Sequence, residues 1–515
     1  MSEKITSILI VINSLYDNFA FNNHISEIFL SFAIISLILF VALIERQKSN
    51  KYYIFIHETY ILTLIVLFFL ICSYLVTCNF ESIQIAKIFV SIISFILTIM
   101  IYPALKAQRI NYSEFFILFL IAILSLLLML EANNLLTFYL TMEMQALCYY
   151  VMSTILRNNV ASVEAGLKYF ILGCIMSAIY LLGSSLIYGV LGTINLQEMA
   201  LLFLSLEINT VPFTLLLAIL LIIATLFFKI GAFPFHFWIP DVYEGAPIAT
   251  TTIFSILPKF PFFYFFIKWN ISLLFTIDYF INIYLWAGIL TTILGTIYSF
   301  KQWKFKRLII FSSIGQVGYL VSNLAICTTP GYMSLFNFLI IYILGSILLW
   351  GFYIRTMYIA RRMSFFQKRE EVPALYISDF MYIVSRKKIN IIIFTLIFFS
   401  MAAIPPLPGF FQKLFVLNSL TTETYYTVVI IYLILGAYST FYYLRFIKIA
   451  FFDKKQIKNL KFSKNPFILI RTKKDNEDLN HIELLLFLIF WIFIYLSIDN
   501  SMLEDFCLLL SCNII

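Results

Sequence analysis

The stretch Lys229-Ile-Gly-Ala-Phe-Pro-Phe-His-Phe-Trp-Ile-Pro-Asp-Val-Tyr-Glu-Gly-Ala-Pro247 joins a lysine, an imidazole and two carboxylates to a broken backbone. Lys229 closes a long apolar run. Gly231, Pro234 and Pro240 then interrupt it, with His236, Asp241 and Glu244 at the interruption. Glu143, Lys259 and Lys413 also lie well inside apolar stretches. A charged side chain at the centre of a bilayer costs roughly 2.5–3.5 kcal/mol on insertion scales, so such residues mark ion pathways or proton relays. Amines and carboxylates at that depth exchange protons. Burial disfavours the charged form of a lysine, and a nearby carboxylate restores it. Glu143 and Lys229 fall in different spans and suit those roles, the carboxylate loading or emptying the amine as it approaches or withdraws. The plainer alternative is a static ion pair that locks the bundle. Lys168 lies near a helix start, where it can snorkel or pair with Glu164 one turn earlier.

The prolines sharpen this reading. Pro234 cannot donate to the carbonyl of Ile230, beside Lys229. Pro405, Pro406 and Pro408 likewise free the carbonyls of Met401, Ala402 and Ile404, shortly before Lys413. Non-helical backbone at membrane depth persists only where it is buried in protein or lines a wet cavity. Lys229 precedes its break and Lys413 follows its own, in spans of opposite direction, so both breaks fall on the basic side of their lysine. This predicts discontinuous seventh and twelfth spans, as in transporters built from repeats. Ordinary proline kinks would account for the breaks but not for the lysines beside them.

The elements that position these groups are membrane helices. Of 515 residues, 62% are hydrophobic and 12% charged, against about 45–50% apolar and about 25% charged in soluble domains. Apolar stretches near 25–44, 54–78, 82–102, 113–131, 133–156, 162–190, 212–233, 249–269, 280–299, 307–326, 332–359, 389–418, 424–451 and 482–498 approach the length of about 20 residues that a span requires. The expectation is an all-α polytopic protein of about fourteen transmembrane helices. The ends 1–24 and 499–515 are also apolar and suit the interface. Lys and Arg concentrate in the loops after odd-numbered spans, including the two long loops at 361–388 and 452–481. The positive-inside rule therefore puts both termini on the outer side. Asp241 and Glu244 break this pattern, which predicts that they pack into the protein. The excess positive charge of +8 reports orientation and does not imply nucleic acid.

Several chemistries are not indicated. The seven cysteines form no CxxC pair, and the four histidines show no metal spacing. There is neither a GxGxxG following a strand nor a Walker loop. The expectation is that this chain alone holds no metal, flavin, iron–sulfur cluster or nucleotide. The first residues do not read as an Arg-rich, acid-poor targeting sequence. The abundance of Phe, Tyr, Ile, Leu, Asn and Lys suggests an A/T-rich genome such as an organelle's.

With these residues in view, the chain resembles the antiporter-like membrane subunits of respiratory complex I, the NADH:ubiquinone oxidoreductases. Five stretches carry the likeness: the Glu143 helix, Ser162–Phe170 with Tyr188–Gly192, Lys229–Pro247, Phe311–Tyr319 and Ile404–Lys413. Asp241-Val-Tyr-Glu-Gly-Ala-Pro247 and a lysine in the twelfth span are most similar to the subunit 2 branch, encoded in mitochondria. The resemblance implies fourteen helices with two inverted five-helix repeats. It divides the chain into N-terminal helices (1–112), a first antiporter-like half (113–269), a second half (270–451), and a basic loop, last helix and tail (452–515). It implies proton translocation through Glu143, Lys229, Lys259 and Lys413, with Lys168 and His236 secondary. NADH, flavin, iron–sulfur clusters and ubiquinone would belong to other subunits. The implied partners are other membrane-arm subunits, neighbouring antiporter-like subunits among them, and lipids of the mitochondrial inner membrane. The sequence departs from the family pattern in three places. Pro258 and Pro261 flank Lys259, Ala403 stands where glycine is common, and Pro408 adds a third proline to the second break. A subunit of a multi-subunit cation/proton antiporter is the second reading. A scaffold that keeps the fold without pumping is the third, and the intact set of buried charges argues against it.

Overall fold

The computed structural model describes residues 21–45, 52–77, 81–205, 212–273, 277–362, 377, 388–451, 473–499 and 501–512. Most of the long loops at 361–388 and 452–481 lies outside the described residues. Those residues hold helices and no strand. In chain order the helices are α1 Phe21–Glu45, α2 Tyr52–Val76, α3 Ser82–Gln108, α4 Glu114–Glu131, α5 Leu135–Ser153, α6 Val160–Leu191 and α7 Leu196–Ser205. They continue as α8 Phe213–Ile230, α9 Trp238–Gly245, α10 Ile248–Ile256, α11 Lys259–Ser272, α12 Ile277–Lys301 and α13 Phe305–Asn323. The last are α14 Thr329–Arg362, α15 Lys388–Met401, α16 Pro408–Thr422, α17 Tyr426–Phe451, α18 Lys473–Ile498 and α19 Ser501–Cys512.

Every stretch read as a span falls on a helix or on a broken pair of helices. Ten helical segments among the described residues are long and apolar enough to cross a membrane. The other four stretches have local reasons to fall short. Glu143 and its polar neighbours lower the hydropathy of α5, and basic residues open α13. The 389–418 stretch is split into helices of 14 and 15 residues, and the described apolar part of α18 is short.

The centre of the bundle is α10 with most of α11, and α14, all nearly wholly buried. Around them α1, α2, α6 and α17 present exposed large apolar side chains such as Phe32, Phe68, Phe69, Leu172 and Leu433, the composition of a lipid-facing surface. Between membrane helices the hydrophobic effect drives little association, and close packing of small residues replaces it. The α12–α13 pair shows this most clearly: a Cβ on Gly295 would stand 2.3 Å from the Gly315 nitrogen. The apolar tail forms α19, packed against α3 and α14.

Both expected breaks are present. At the first, α8 ends on Gly231 in the left-handed conformation (φ 77). The Gly231 and Ala232 amides bond back to Phe227 at 2.9 Å, and the Trp238 indole donates to the Phe228 carbonyl at 3.0 Å. At the second, Pro408 stands at the first turn of α16, where its missing N–H removes nothing. It therefore starts the second helix and does not extend the break. Ser400 bridges the gap, its hydroxyl accepting from the Gly409 amide at 3.0 Å.

A third break was not expected. The span carrying Lys259 divides at Leu257 and Pro258, so Lys259 begins a helix and does not sit midway along a continuous one. Pro258 cannot donate to the carbonyl of Phe254. The Tyr243 hydroxyl donates to that carbonyl at 3.0 Å and stabilises the interruption.

Ala403 adopts φ 60, left-handed backbone that disfavours a Cβ by roughly 1–2 kcal/mol. Ala403→Gly is expected to stabilise the chain by about 1 kcal/mol, read as a rise in the thermal dissociation temperature of the purified assembly.

Candidate proton-relay site

Lys229 occupies the last turn of α8, and Glu143 the middle of α5. Glu143 is the carboxylate whose charge acts on Lys229, yet no ion pair joins them. The Glu143 Oε1 atom is buried without a hydrogen-bond partner. A carboxylate that is near but unbonded has room to approach or withdraw.

Lys229 and Lys259 line one small cavity with Gln145, Tyr149, Trp238 and Ser313. Its volume of about 20 Å³ suits a single water. Lys259 is buried, and its ammonium donates to the Tyr342 hydroxyl. Lys413 is equally buried and donates to Ser439 Oγ at 3.1 Å, with the Tyr319 ring 5.7 Å away. Among the described residues neither Lys259 nor Lys413 has a carboxylate in ion-pair range. A static locking pair therefore does not describe these lysines.

A seam of hydroxyls and an amide runs between them. Ser313 stands beside the Tyr342 hydroxyl. The Tyr443 hydroxyl lies among Tyr442, Ser312 and Gln316, and both it and Gln316 Oε1 are buried without a hydrogen bond. Tyr319, under Lys413, completes the line. Ser312, Gln316 and Tyr319 recur at intervals of four and three and so share one face of α13. That polar stripe is visible in the sequence, but only the convergence of α13, α14 and α17 turns it into a seam. Groups of this kind, able to accept and donate at once, can pass a proton once water joins them.

The secondary candidates lie elsewhere. His236 is buried between the Phe233 and Phe237 rings, its Nδ1 without a hydrogen bond, and it does not line the Lys229 cavity. Lys168 is exposed and pairs with Glu164 at 2.8 Å and Asp241 at 3.2 Å. Glu244 is clamped by Lys304 at 2.6 Å and Arg307 at 3.4 Å. The two acidic residues that broke the charge pattern are therefore paired with bases, and both line a polar vestibule of about 850 Å³ with Lys168, Lys304 and Lys306. Exposed pairs such as those of Lys168 are screened by water and add little to stability. Lys168→Ala is expected to leave assembly intact and to change proton transport much less than loss of Lys229, checked by vesicle acidification.

Sequence reasoning passed over a second buried ionic group, formed by Glu27, Lys87 and Glu131 with His24 and Lys268. Each lies near a helix end, where a charge reads as interfacial.

A family model described as NADH:quinone oxidoreductase/Mrp antiporter, TM, matches residues 132–439, a range that takes in Glu143, Lys229, Lys259, Tyr342 and Lys413. The NADH-quinone oxidoreductase subunit N of Wolbachia sp. subsp. Brugia malayi is 33% identical over 358 residues, 68% of this chain and 73% of that protein. NADH-ubiquinone oxidoreductase chain 2 of Marchantia polymorpha is 36% identical over 355 residues, 68% and 69% of the two chains. A chain of respiratory complex I from Thermus thermophilus shares the fold, with a TM-score of 0.67 at 21% identity over 91% of this chain and 97% of that one. With its multi-pass helical bundle and that match, the chain belongs to the membrane-spanning NADH:quinone oxidoreductase/Mrp antiporter family.

Proposed function

We propose that this chain is the antiporter-like membrane subunit, N or 2, of an NADH:quinone oxidoreductase, and that it moves protons across the membrane through Glu143, Lys229, Lys259 and Lys413. The observation that carries the reading is the set of buried lysines at or beside helix breaks, two of them with no carboxylate partner among the described residues, joined by a polar seam. Approach of Glu143 holds a proton on Lys229. Its withdrawal releases the proton to the cavity shared with Lys259, and the seam leads on to Lys413. Oxidation of NADH and reduction of quinone take place in other subunits, which hold the flavin and iron–sulfur clusters, and this chain binds none of them. The membrane-arm neighbours include other antiporter-like subunits.

The finer assignment has its own supports. Fourteen spans in two inverted five-helix repeats agree with the breaks beside Lys229 and Lys413, one in each half. A mitochondrial inner-membrane location, with both termini towards the intermembrane space, is supported by the A/T-biased residue usage and by the basic loops.

Co-purification tests this directly. Recovery of the tagged chain with flavin and iron–sulfur proteins is expected. Recovery without them, together with Na⁺-dependent proton exchange in vesicles, would replace this reading with a multi-subunit antiporter.

A further inference from the structure

Away from the seam, at the end of the bundle where α1 and α3 begin and α4 and α11 finish, these four helices and α2 bring ionisable side chains together. The Lys87 ammonium lies 2.7 Å from Glu27 Oε1 and also contacts Glu131 Oε1. Tyr74, from α2, donates to Glu27 Oε1 at 2.6 Å, and Ser26 donates to the other oxygen at 3.1 Å. The free oxygen of Glu131, Oε2, meets His24 Nδ1 at 3.2 Å. Lys268, on α11, donates to the Leu130 carbonyl at 2.8 Å and to Asn133 Oδ1 at 3.3 Å, beside Glu131.

Three features separate this group from a pair that only fastens helices. A simple ion pair joins one ammonium to one carboxylate, whereas Lys87 touches two. The second carboxylate leads to an imidazole, the side chain that changes charge near neutral pH. Side-chain exposure also rises in order, from 3% at Lys87 and 6% at Glu27 to 19% at Glu131 and 53% at His24. Glu27 and Glu131 balance Lys87 and Lys268 when His24 is neutral, so a proton on His24 is the one surplus charge and lies nearest water. His24, Glu27 and Glu131 also have a spacing that could hold a metal ion, but the Lys87 ammonium already fills the place between the carboxylates.

The group is tied to the relay through α11. Lys268 is nine residues from Lys259, about 13.5 Å along the helix. Between them the Tyr264 ring lies 5.3 Å from the Lys268 ammonium, and the Tyr264 hydroxyl lies 3.3 Å from Ser82 Oγ.

We propose that Lys87, Glu27, Glu131 and His24 form the port through which this subunit's relay exchanges protons with water on the outer side. This rests on the proton-translocating reading above. Lys87 passes a proton to the Glu131 carboxylate and regains one from the relay side. The resulting carboxylic acid gives it to His24 Nδ1, and the imidazolium releases a proton from Nε2 to water. Glu27, bonded to Tyr74 and Ser26, holds the amine in place while Glu131 turns over.

The test uses the assembled complex in vesicles. His24→Ala and Glu131→Gln are each expected to slow NADH-driven proton pumping by about 10²-fold or more, the loss of a positioned proton carrier, without lowering the amount of assembled complex. Added imidazole should restore turnover in His24→Ala and leave Glu131→Gln unrescued. Pumping at the unsubstituted rate in His24→Ala, or a defect that imidazole does not relieve, overturns the port. If Glu131→Gln fails to assemble, His24→Ala with imidazole decides alone. Lys413→Ala in the same series separates the two ideas. Normal pumping there removes the relay itself, whereas a defect there beside normal His24→Ala removes only the port.

Discussion

Lys229→Ala and Glu143→Gln each stop most proton pumping in the reconstituted complex while assembly proceeds. Neither substitution removes an ion pair among the described residues. Among the described residues Lys229 has no ion pair, and the Glu143 Oε1 atom has no hydrogen bond to lose. What disappears is the action of the carboxylate on the amine and the capacity to carry a proton. Loss of a positioned proton carrier slows transfer by about 10² or more, so pumping and coupled quinone reduction are expected to fall together towards that factor. Normal pumping in both variants, followed by dye quenching in vesicles, would remove Glu143 and Lys229 from the relay.

Lys259→Met should raise stability and lower pumping in the same protein. Removing one member of a buried ion pair strands its partner and destabilises strongly, but among the described residues Lys259 has no partner carboxylate. Its contact, the Tyr342 hydroxyl, keeps Ser313 beside it. Methionine fills similar volume and removes a charge whose insertion costs about 3 kcal/mol, so resistance to heat or denaturant is expected to rise by up to that amount. Lys413→Met should act alike, since the Ser439 hydroxyl still donates to the Gly436 carbonyl at 2.7 Å. A destabilised variant that pumps normally would make these lysines structural.

What the sequence displayed depended on contrast. Lys229, Lys259 and Lys413 are charges in otherwise apolar runs, and Gly231, Pro234, Pro405 and Pro406 interrupt helices by known sterics, so both were readable. The break at Pro258 was harder to read, because its stability comes from Tyr243, fifteen residues away. Glu27, Lys87, Glu131 and Lys268 lie near span ends, where a charge ordinarily reaches water, and nothing local says that they face one another. Ser312, Gln316, Tyr342 and Tyr443 are residue types that membrane helices carry for many reasons. Only three-dimensional convergence selects them.

The contact between Gly295 and Gly315 has a consequence for how such a device could move. Backbones that close resist sliding past one another, so α12 and α13 are expected to move only together, as a stator would. Ser312, Gln316 and Tyr319 ride on that stator and keep their spacing through any cycle. Any moving part is then expected among the interrupted helices, whose gaps lie beside Lys229, Lys259 and Lys413.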